Sequence, residues 1–374
     1  MRILFACGGT AGHINPAIAV AQLVRQKDAD AAVLFVGNPN GMEARLVKEA
    51  GFDFAAVRVL GIQRQLSRQN LVNNVKAIAY LTTAGVHAKK IIKRFAPDIV
   101  FGTGGYVSGP VLREAAKMGI KTLTHESNAF PGVTTKLLSR YVDAVLIAVP
   151  KAADYLPRAC KTVVTGNPVR LGVAQASRDE ARKKLEVGER PCLLSFGGSN
   201  GARTVNAAVA KLMAWHCKNA DIYHIHATGR FGVQLLPQLL KDEGISDIKK
   251  YPQLDIREYI DDMADCLAAA DLVICRAGAL TLTELQAAGK ASILIPSPNV
   301  AENHQYYNAL VLQKANAAVL IEEKDLTGEL LIKTVRELIA DKNRLAKLGK
   351  NAAAIAITDA NERIYEEIKL LLKK

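Results

Sequence analysis

The sequence predicts an α/β protein made of two doubly wound domains, each with a parallel sheet. Three observations lead to this fold class. Short apolar segments alternate with longer helical ones along the chain. A glycine-rich motif follows an apolar segment twice, early and midway. The 374 residues suit two domains of about 150–200 residues each. Strands that are apolar on both faces are typical of parallel sheets covered by helices.

Eleven segments are predicted as strands. In the first half they are Ile3–Cys7, Ala32–Val36, Ile99–Phe101, Lys121–His125, Ala144–Ile147 and Thr162–Val164. In the second half they are Cys192–Phe196, Tyr223–Ala227, Leu272–Cys275, Ala291–Ile295 and Ala318–Leu320. The helical segments between and after them are Ala17–Gln26, the charged Ser177–Arg190, Val205–Trp215, Leu330–Leu348 and the amphipathic tail Asn361–Lys374.

The repeated motif divides the chain. Leu4–Cys7 is followed by Gly8-Gly9-Thr10-Ala11-Gly12, and Leu193–Phe196 by Gly197-Gly198-Ser199-Asn200-Gly201. We call these the first and second glycine loops. Each marks the first strand–loop–helix unit of a doubly wound domain. Because Asn167-Pro168 indicates a turn, we expect domains at 1–166 and 167–351, with a helix at about 352–374 packing back on the first.

The composition excludes several classes of protein. Hydrophobic residues make up 49% and charged residues 23%, which excludes a disordered chain. Aromatics at 5% with one Trp do not favour a surface that stacks single-stranded nucleic acid. The six cysteines form no CxxC pair, which argues against zinc and redox sites and for reduced thiols. We expect no signal peptide and no membrane-spanning helix, since no apolar run reaches about 18 residues.

The charge is concentrated in the first half. Residues 1–169 hold 21 Lys/Arg and 10 Asp/Glu, which gives +11 of the total +13. Such an excess favours partners rich in phosphate: nucleic acid, anionic lipid or a phosphorylated substrate. Between Asp53 and Asp98 there is no acidic residue. The eight basic residues of this stretch are Arg58, Arg64, Arg68, Lys76, Lys89, Lys90, Lys93 and Arg94.

Unusual residues follow the predicted strands, where ligands bind on such sheets. Glycine lets backbone N–H groups approach an anion, and a following helix N-terminus favours negative charge. A tight turn without a ligand is the alternative. Asn15 is predicted as the N-cap of the next helix, with Pro16 in its first turn. Neither loop fits G-x-G-x-x-G or the P-loop, which disfavours NAD enzymes and ATPases.

Three side chains and one short motif could carry chemistry or bind ligands. His13 is a candidate general base, or else a capping or core histidine. Glu284 could accept from sugar hydroxyls, or be a charge near a helix N-terminus. Arg170 could reach a pyrophosphate, or lie on the surface. Asp28-Ala29-Asp30 matches the DxD metal motif, but it precedes a strand, so we interpret it as a solvated turn.

Seven motifs resemble one family. The segment Gly8–Ala17 (GGTAGHINPA) is similar to the GGTGGHxxPA opening of the MurG family, UDP-N-acetylglucosamine:N-acetylmuramyl-(pentapeptide)-pyrophosphoryl-undecaprenol N-acetylglucosaminyltransferases. The others match in order: GTGGYVSGP at 102–110, HESN at 125–128, GNPVR at 166–170, GGSNGAR at 197–203, RAGALTLTE at 276–284 and HQYYNA at 304–309. Ala11, Asn200 and His304 depart from the usual Gly, Gln and Gln, and Ala11 adds a methyl group where acceptor phosphates would approach.

The resemblance implies a GT-B fold, in which two Rossmann-like domains face a cleft. It also implies transfer of N-acetylglucosamine from UDP-N-acetylglucosamine to the C4 hydroxyl of the muramyl sugar of lipid I, giving lipid II. The sugar inverts from α to β, so a base must take the acceptor proton in one displacement. No cofactor and no metal are implied. Helix N-termini, Arg170 and the Ser199 loop would help the departing UDP.

The site residues implied by the family are carried over by motif. Glu284 would hold the ribose, the backbone of Ile260 the uracil, and Gln305 the sugar hydroxyls. The general base would be His13 or Glu126. The remaining donor-site residues are Thr10, Ala11, Gly12, Asn128, Arg170, Ser199, Ala279, Leu280 and Thr281. The acceptor-binding residues are Gly104, Gly105 and Tyr106.

The expected partners are UDP-N-acetylglucosamine, lipid I and an anionic membrane surface, with no nucleic acid. We expect peripheral binding at the cytoplasmic face of the inner membrane through the basic segment, where Leu71, Val72, Val75, Ile78 and Ala79 fall near helical spacing beside Tyr80 and Leu81. A core-facing stripe with a solvated basic end is the alternative. Rival functions are a nucleotide-sugar epimerase, a glycolipid synthase of the same fold and a nucleic-acid binder.

Overall fold

A computed structural model describes residues 1–59, 83–169, 172–300 and 303–373. The chain divides into two compact units. The first unit comprises Met1–Val169 and Asp359–Lys374, and the second comprises Arg170–Thr358. The predicted fold class is confirmed, because each unit is built around one parallel sheet.

The first unit contains a seven-stranded sheet in the order β3-β2-β1-β4-β5-β6-β7. Its strands are β1 Arg2–Cys7, β2 Ala32–Gly37, β3 Asp53–Ala56, β4 Ile99–Gly104, β5 Lys121–Glu126, β6 Ala144–Ile147 and β7 Thr162–Val164. Every neighbouring pair is parallel, and Ile3 lies opposite both Val33 and Ile99. The strand order reverses between β1 and β4, the topological switch point at which doubly wound sheets bind ligands.

Helices cover both faces of this sheet. They span Ala11–Lys27, Met42–Glu49, residues 83–95, Ser108–Lys117, Val133–Leu138 and Ala360–Leu372, with a 3₁₀ helix at Pro150–Tyr155. Alternate residues of β1 enter separate cores: Phe5 packs with Ile364 on one face, and Leu4 with Ile92 on the other. Burial on both faces explains why the strand is apolar throughout. The C-terminal helix therefore completes the core of the first unit.

The second unit has a six-stranded parallel sheet in the order β10-β9-β8-β11-β12-β13. Its strands are β8 Cys192–Phe196, β9 Tyr223–Ala227, β10 Leu254–Arg257, β11 Leu272–Cys275, β12 Ser292–Leu294 and β13 Val319–Leu320. Its helices span Arg178–Lys184, Arg203–Asn219, Leu235–Asp242, Met263–Ala269, Ala279–Ala287, His304–Lys314, Gly328–Ala340 and Lys342–Ala354, with 3₁₀ helices at Ile248–Lys250 and Glu323–Asp325. Here the switch point lies between β8 and β11.

Three local predictions were wrong. The first helix begins at Ala11 rather than after Asn15, and Pro16 lies buried inside it. The lost hydrogen bond of Pro16 is tolerated because this helix face packs in the core. Leu330–Leu348 is not one helix: it breaks at Asp341, whose carboxylate accepts from the Arg344 N–H and caps the second helix. The edge strands β3 and β10 were missed.

In the described residues, no helix is both long and apolar enough to span a bilayer.

Candidate functional site in each unit

The first glycine loop lies at the switch point of the first unit. It connects β1 to helix Ala11–Lys27, and the loop after β4 lies directly beside it. The Ser108 hydroxyl lies 2.7 Å from the carbonyl oxygens of both Ala6 and Gly104, and Thr103 Oγ1 donates to the His13 carbonyl at 2.5 Å. These buried hydroxyls hold the two loops in register, although the sequence suggested no role for them.

His13 lies in the first turn of that helix and is partly exposed. Its Nδ1 is 3.2 Å from the Gly8 carbonyl oxygen and 3.4 Å from Thr10 Oγ1. A carbonyl oxygen can only accept, so the Nδ1 contact with Gly8 requires the proton on Nδ1. The neutral ring then carries its lone pair on Nε2, which is the atom that can take a proton.

Two glycines at the end of β4 leave room for this arrangement. Gly105 has φ +82°, and a Cβ there would lie 2.2 Å from the Gly8 carbonyl oxygen. Gly104 has φ +107°, and a Cβ there would lie 2.6 Å from His13 Cδ2. Of the predicted acceptor residues, Gly104 therefore borders the histidine and Gly105 borders the Gly8 carbonyl that contacts it. Tyr106 follows them with 51% of its surface exposed.

Glu126 ends β5 with 5% of its surface exposed. One carboxylate oxygen accepts from the backbone N–H and side-chain amide of Asn128, both at 3.0 Å. The other accepts from the Gly132 N–H at 3.0 Å and from Thr135 Oγ1 at 2.6 Å. Four donors therefore surround the carboxylate and shape the loop between β5 and the next helix.

The HESN and GNPVR motifs meet in the first unit. His125 Nε2 lies 2.9 Å from the Gly166 carbonyl oxygen, and Asn167 Nδ2 donates to the Ser127 carbonyl at 3.2 Å. His125 is fully buried, and this burial lowers its pKa, so its ring stays neutral. These contacts join the end of β5 to the segment after β7. Arg170, the last residue of that motif, lies outside the described residues.

In the second unit, the second glycine loop packs on the loop after β9. The Ser199 carbonyl accepts from the Arg230 N–H, and the Asn200 carbonyl from the Phe231 N–H, both at 3.1 Å. Gly201 has φ +81°, and a Cβ there would lie 2.2 Å from the Thr228 carbonyl oxygen. Backbone contacts therefore fix the position of this loop.

Helix Ala279–Ala287 follows β11 and begins with the predicted residues Ala279, Leu280 and Thr281. N–H groups in a first helical turn have no partner within the helix, so they suit phosphate oxygens. Glu284 is the sixth residue of this helix and is 7% exposed, so it is not an N-terminal charge. Burial raises the pKa of the Cys275 thiol, and the Glu284 charge adds to this effect.

Two further predicted residues follow strands β10 and β12 of the second unit. Ile260 follows β10 with 2% of its surface exposed, so its backbone rather than its side chain is the group to consider. Gln305, in the first turn of helix His304–Lys314, accepts from the Ser297 N–H at 2.9 Å. The Gln305 amide nitrogen is then the group suited to donate to a sugar hydroxyl.

The sequence reasoning gave no individual role to Arg276. Its guanidinium forms a half-buried ion pair with Glu323 and donates to the carbonyls of Ile295 and Pro296, both at 3.2 Å. It also donates to Thr204 Oγ1 at 3.3 Å. Arg276 therefore joins the ends of β11 and β12 to helix Arg203–Asn219. In the sequence, the position of Arg276 directly after a predicted strand was the feature that could have identified it as a site residue.

The site residues divide by unit. Thr10, Ala11, Gly12, His13, Gly104 and Gly105 lie around the switch point of the first unit. The residues that follow strands of the second unit are Ser199, Ile260, Ala279–Thr281, Glu284 and Gln305.

The possible metal motif lies elsewhere. Asp28 and Asp30 lie in the turn before β2, where Asp28 accepts from the N-terminal amine at 3.3 Å. No cluster of three or more His, Cys, Asp or Glu suited to a metal occurs among the described residues.

Family models match both units. The glycosyltransferase family 28 N-terminal domain matches residues 3–147, and its C-terminal domain matches residues 192–364. Enzymes named UDP-N-acetylglucosamine--N-acetylmuramyl-(pentapeptide) pyrophosphoryl-undecaprenol N-acetylglucosamine transferase are similar over their full length. The one from Acetivibrio thermocellus is 46% identical over 100% of this chain and 99% of its own. The one from Ruminiclostridium cellulolyticum is 42% identical over 100% of both chains. The chain belongs to the MurG family.

Solved structures agree with this assignment. MurG from Acinetobacter baumannii superimposes with a TM-score of 0.71 and 29% identity, covering 98% of this chain and 99% of that one. The MnaA–UDP complex of S. aureus has a TM-score of 0.70 at 13% identity, covering 100% and 97%. A putative UDP-N-acetylglucosamine 2-epimerase from Listeria monocytogenes has 0.70 at 14%, covering 98% and 95%. The last two show the fold alone, so membership of the MurG family rests on the closer relatives.

Proposed function

We propose that this chain transfers N-acetylglucosamine from UDP-N-acetylglucosamine to the C4 hydroxyl of the muramyl sugar of lipid I, forming lipid II. The observation that carries the proposal is 46% identity over the whole chain with an enzyme of that name. The order of the seven motifs supports it. The sugar inverts in a single displacement: the acceptor oxygen bonds to the anomeric carbon as the bond to UDP breaks.

His13 acts as the general base. In the tautomer that Gly8 selects, Nε2 takes the proton of the attacking hydroxyl while Nδ1–H stays bonded to the carbonyl. The resulting imidazolium then donates from both nitrogens, so the same carbonyl stabilises the charged ring. Loss of a general base typically lowers the rate by about 10²–10⁴-fold.

Glu126 is the less suitable candidate for the base. Each of its oxygens already accepts two hydrogen bonds. Proton transfer to this carboxylate would break contacts that hold Asn128 and the turn at Gly132. Glu126 therefore organises the loop, and its substitution disturbs Asn128 as well as any direct contact with the substrate.

Most residues of the proposed donor site lie in the second unit. The N-terminus of helix Ala279–Ala287 and the Ser199 loop offer N–H groups to the diphosphate, which gains negative charge as the sugar leaves. Glu284 accepts from the ribose hydroxyls, and Gln305 contacts the sugar. Arg170 and the first-unit residues Thr10, Ala11, Gly12 and Asn128 complete the donor-binding set carried over from the family. Neutralisation by these donors is what makes the reaction independent of a metal.

The decisive experiment follows radiolabelled N-acetylglucosamine from UDP to a lipid I analogue, with and without EDTA. We expect transfer in both, with the β configuration in the product. Conversion of the donor alone to its 2-epimer would instead indicate an epimerase. Loss of transfer in EDTA, restored by Mg²⁺ or Mn²⁺, would contradict the metal-independent mechanism.

We also propose that the first unit binds peripherally to the cytoplasmic face of the inner membrane. On the helical residues 83–95, Ala84, Ala88 and Ile92 are buried, while Lys89, Lys90, Lys93 and Arg94 are exposed. The positive residues therefore lie away from the core. Each Lys or Arg near an anionic surface contributes about 1 kcal/mol, reduced by salt. The apolar residues of this segment, from Leu71 to Leu81, lie outside the described residues.

The docking proposal is tested with anionic vesicles at low salt. Replacing Lys89, Lys90, Lys93 and Arg94 by Ser should weaken vesicle binding and leave UDP affinity intact. Replacing the exposed Lys218, Lys241, Lys249 and Lys250 of the second unit by Ser removes the same four charges and is the control for net charge. Equal losses in the two variants would point to non-specific attraction rather than to docking through this segment.

A further inference from the structure

Glu43 is a buried carboxylate beneath the first glycine loop. It lies near the start of helix Met42–Glu49 and only 1% of its surface is exposed. Three glycines form its niche: a Cβ at Gly8 or Gly41 would lie within 2.5 Å of a Glu43 oxygen, and one at Gly37 within 2.5 Å of its Cγ. The glycines therefore admit the chain's own carboxylate to a position beneath the loop.

The carboxylate is bonded to the loop that carries His13. Its Oε1 accepts from the Asn38 N–H at 2.8 Å, and its Oε2 from the Gly9 N–H at 3.3 Å. The Gly9 nitrogen and the Gly8 carbonyl belong to one peptide group. The same carbonyl oxygen lies 3.2 Å from His13 Nδ1. A single peptide group thus connects the negative charge of Glu43 to the imidazole ring.

We propose that Glu43 is a positioning residue for His13 and acts through the Gly8–Gly9 peptide. The carboxylate fixes the peptide plane by binding its N–H, and this aims the carbonyl at Nδ1. It also polarises the peptide, which makes the carbonyl a stronger acceptor for the Nδ1–H of an imidazolium. The proposal rests on the assignment of His13 as the base.

The surroundings of Glu43 favour its negative charge and screen it little. Near a helix N-terminus, the backbone dipoles favour a negative charge. In a buried niche, little water screens that charge. Cys7 on β1 lies beside it: burial raises the pKa of the thiol, and Glu43 raises it further. The His13 ring is bordered by backbone of Gly8 and Gly104. Glu43 therefore places a negative charge directly against the loop that carries His13.

The test compares Glu43→Gln with Glu49→Gln, which removes an exposed carboxylate paired with Arg45 on the same helix. The His13 ring is followed by NMR of histidine-labelled protein, with its signal assigned from His13→Ala. In E43Q the pH midpoint of this ring should fall by about half to one unit, since the imidazolium loses a nearby negative charge. We expect kcat to fall about three- to tenfold with UDP affinity kept. E49Q should match the wild type in all three.

The outcomes separate this proposal from the proposed function. An unchanged midpoint in folded E43Q, with His13→Ala inactive, overturns the role of Glu43 and leaves His13 as the base. A lowered midpoint with unchanged kcat overturns the positioning role and the assignment of His13 together. Glu43→Asp retains the carboxylate but shortens the side chain by one methylene, which moves the charge away from the Gly9 N–H. We therefore expect the pH midpoint of the His13 ring to fall less in this variant than in E43Q. If E43Q does not fold, Glu43→Asp becomes the test of the proposal. An unaltered pH midpoint of the His13 ring in Glu43→Asp would then overturn it.

Discussion

The two glycine loops share a sequence pattern but differ in what lies against them. Beneath the first, the chain places its own buried carboxylate, Glu43, within hydrogen-bond distance of Gly9. Against the second it places backbone: the carbonyls of Ser199 and Asn200 accept from the loop after β9. Only the first is followed by a histidine, at position 13.

The difference shows that a glycine-rich turn after a parallel strand is not in itself an anion site. Glycine in the first loop makes room for an internal carboxylate beside His13, the proposed base. In the second it lets two loops approach closely beside a helix N-terminus suited to phosphate. The repeat therefore fits a division of labour, with proton transfer in the first unit and nucleotide binding in the second.

The strongest test of this division is His13→Ala. We expect kcat to fall by about 10²–10⁴-fold while UDP affinity stays unchanged, because the residue serves the acceptor side. Turnover with a lipid I analogue and calorimetry with UDP measure the two quantities. Near-normal turnover would move the base elsewhere, and Glu126 would be the next residue to substitute.

The next largest effect is the acid sensitivity of the second unit. Ser195 Oγ lies 2.7 Å from both His224 Nε2 and His226 Nδ1, and His224 Nδ1 is 3.1 Å from His216 Nε2. Burial lowers the pKa of His216 and of His226 to about 4 and that of His224 well below its usual value. All three rings are fully buried, whereas the described part of the first unit buries only His125.

Because these pKa values are lower in the folded state, the unfolded chain binds protons first as the pH falls. The stability of the second unit is therefore full above about pH 6.5 and decreases toward pH 4, by about 2 kcal/mol per neutral histidine at pH 5. Hydrogen exchange should show β8 and β9 losing protection before β1 and β4. Equal losses in the two units would contradict this difference. Replacement of the exposed His87 by Ala is the control.

Glu284→Ala tests the nucleotide-binding half. A charge-assisted hydrogen bond contributes about 1.5–3 kcal/mol, so we expect UDP and UDP-N-acetylglucosamine to bind about ten- to a hundredfold more weakly. Calorimetry measures both ligands, and thermal unfolding checks that the buried position tolerates the change. Unchanged UDP affinity in the folded variant would exclude the ribose role.

The smallest expected effects come from two glycines at equivalent positions of the two glycine loops. Gly9 and Gly198 occupy the same place in their loops, with φ of +89° and +91°, and a Cβ at either meets nothing within 4 Å. Alanine at each position therefore adds only backbone strain of about 1–2 kcal/mol. Gly9→Ala should lower kcat several-fold with UDP affinity kept, and Gly198→Ala should weaken UDP binding. The same phenotype from both would show that the loops do not divide the work.

Much of the fold and the location of the site were predictable from local pattern. Runs such as Ile3–Cys7 and Cys192–Phe196 are apolar throughout, and such runs identify strands buried on both faces. Parallel strands place their carboxyl ends at one edge, so the motifs after β1, β4, β8 and β11 were expected at ligand-binding edges. The roles proposed for the residues in these motifs come from the resemblance to the family, because local pattern alone does not assign them.

The tertiary structure decided what local pattern does not encode. The edge strands β3 and β10 form because a neighbouring strand supplies hydrogen bonds, and their sequences, Asp53–Ala56 and Leu254–Arg257, are short and mixed. In the sequence Glu43 is an ordinary charge near a helix start; in the structure Gly8, distant in the chain, encloses it together with the nearby Gly37 and Gly41. Local periodicity reports which face of an element is apolar. The environment of a buried charge depends on residues brought together only by folding, so the contact of Glu43 with the His13 loop became visible only in the folded chain.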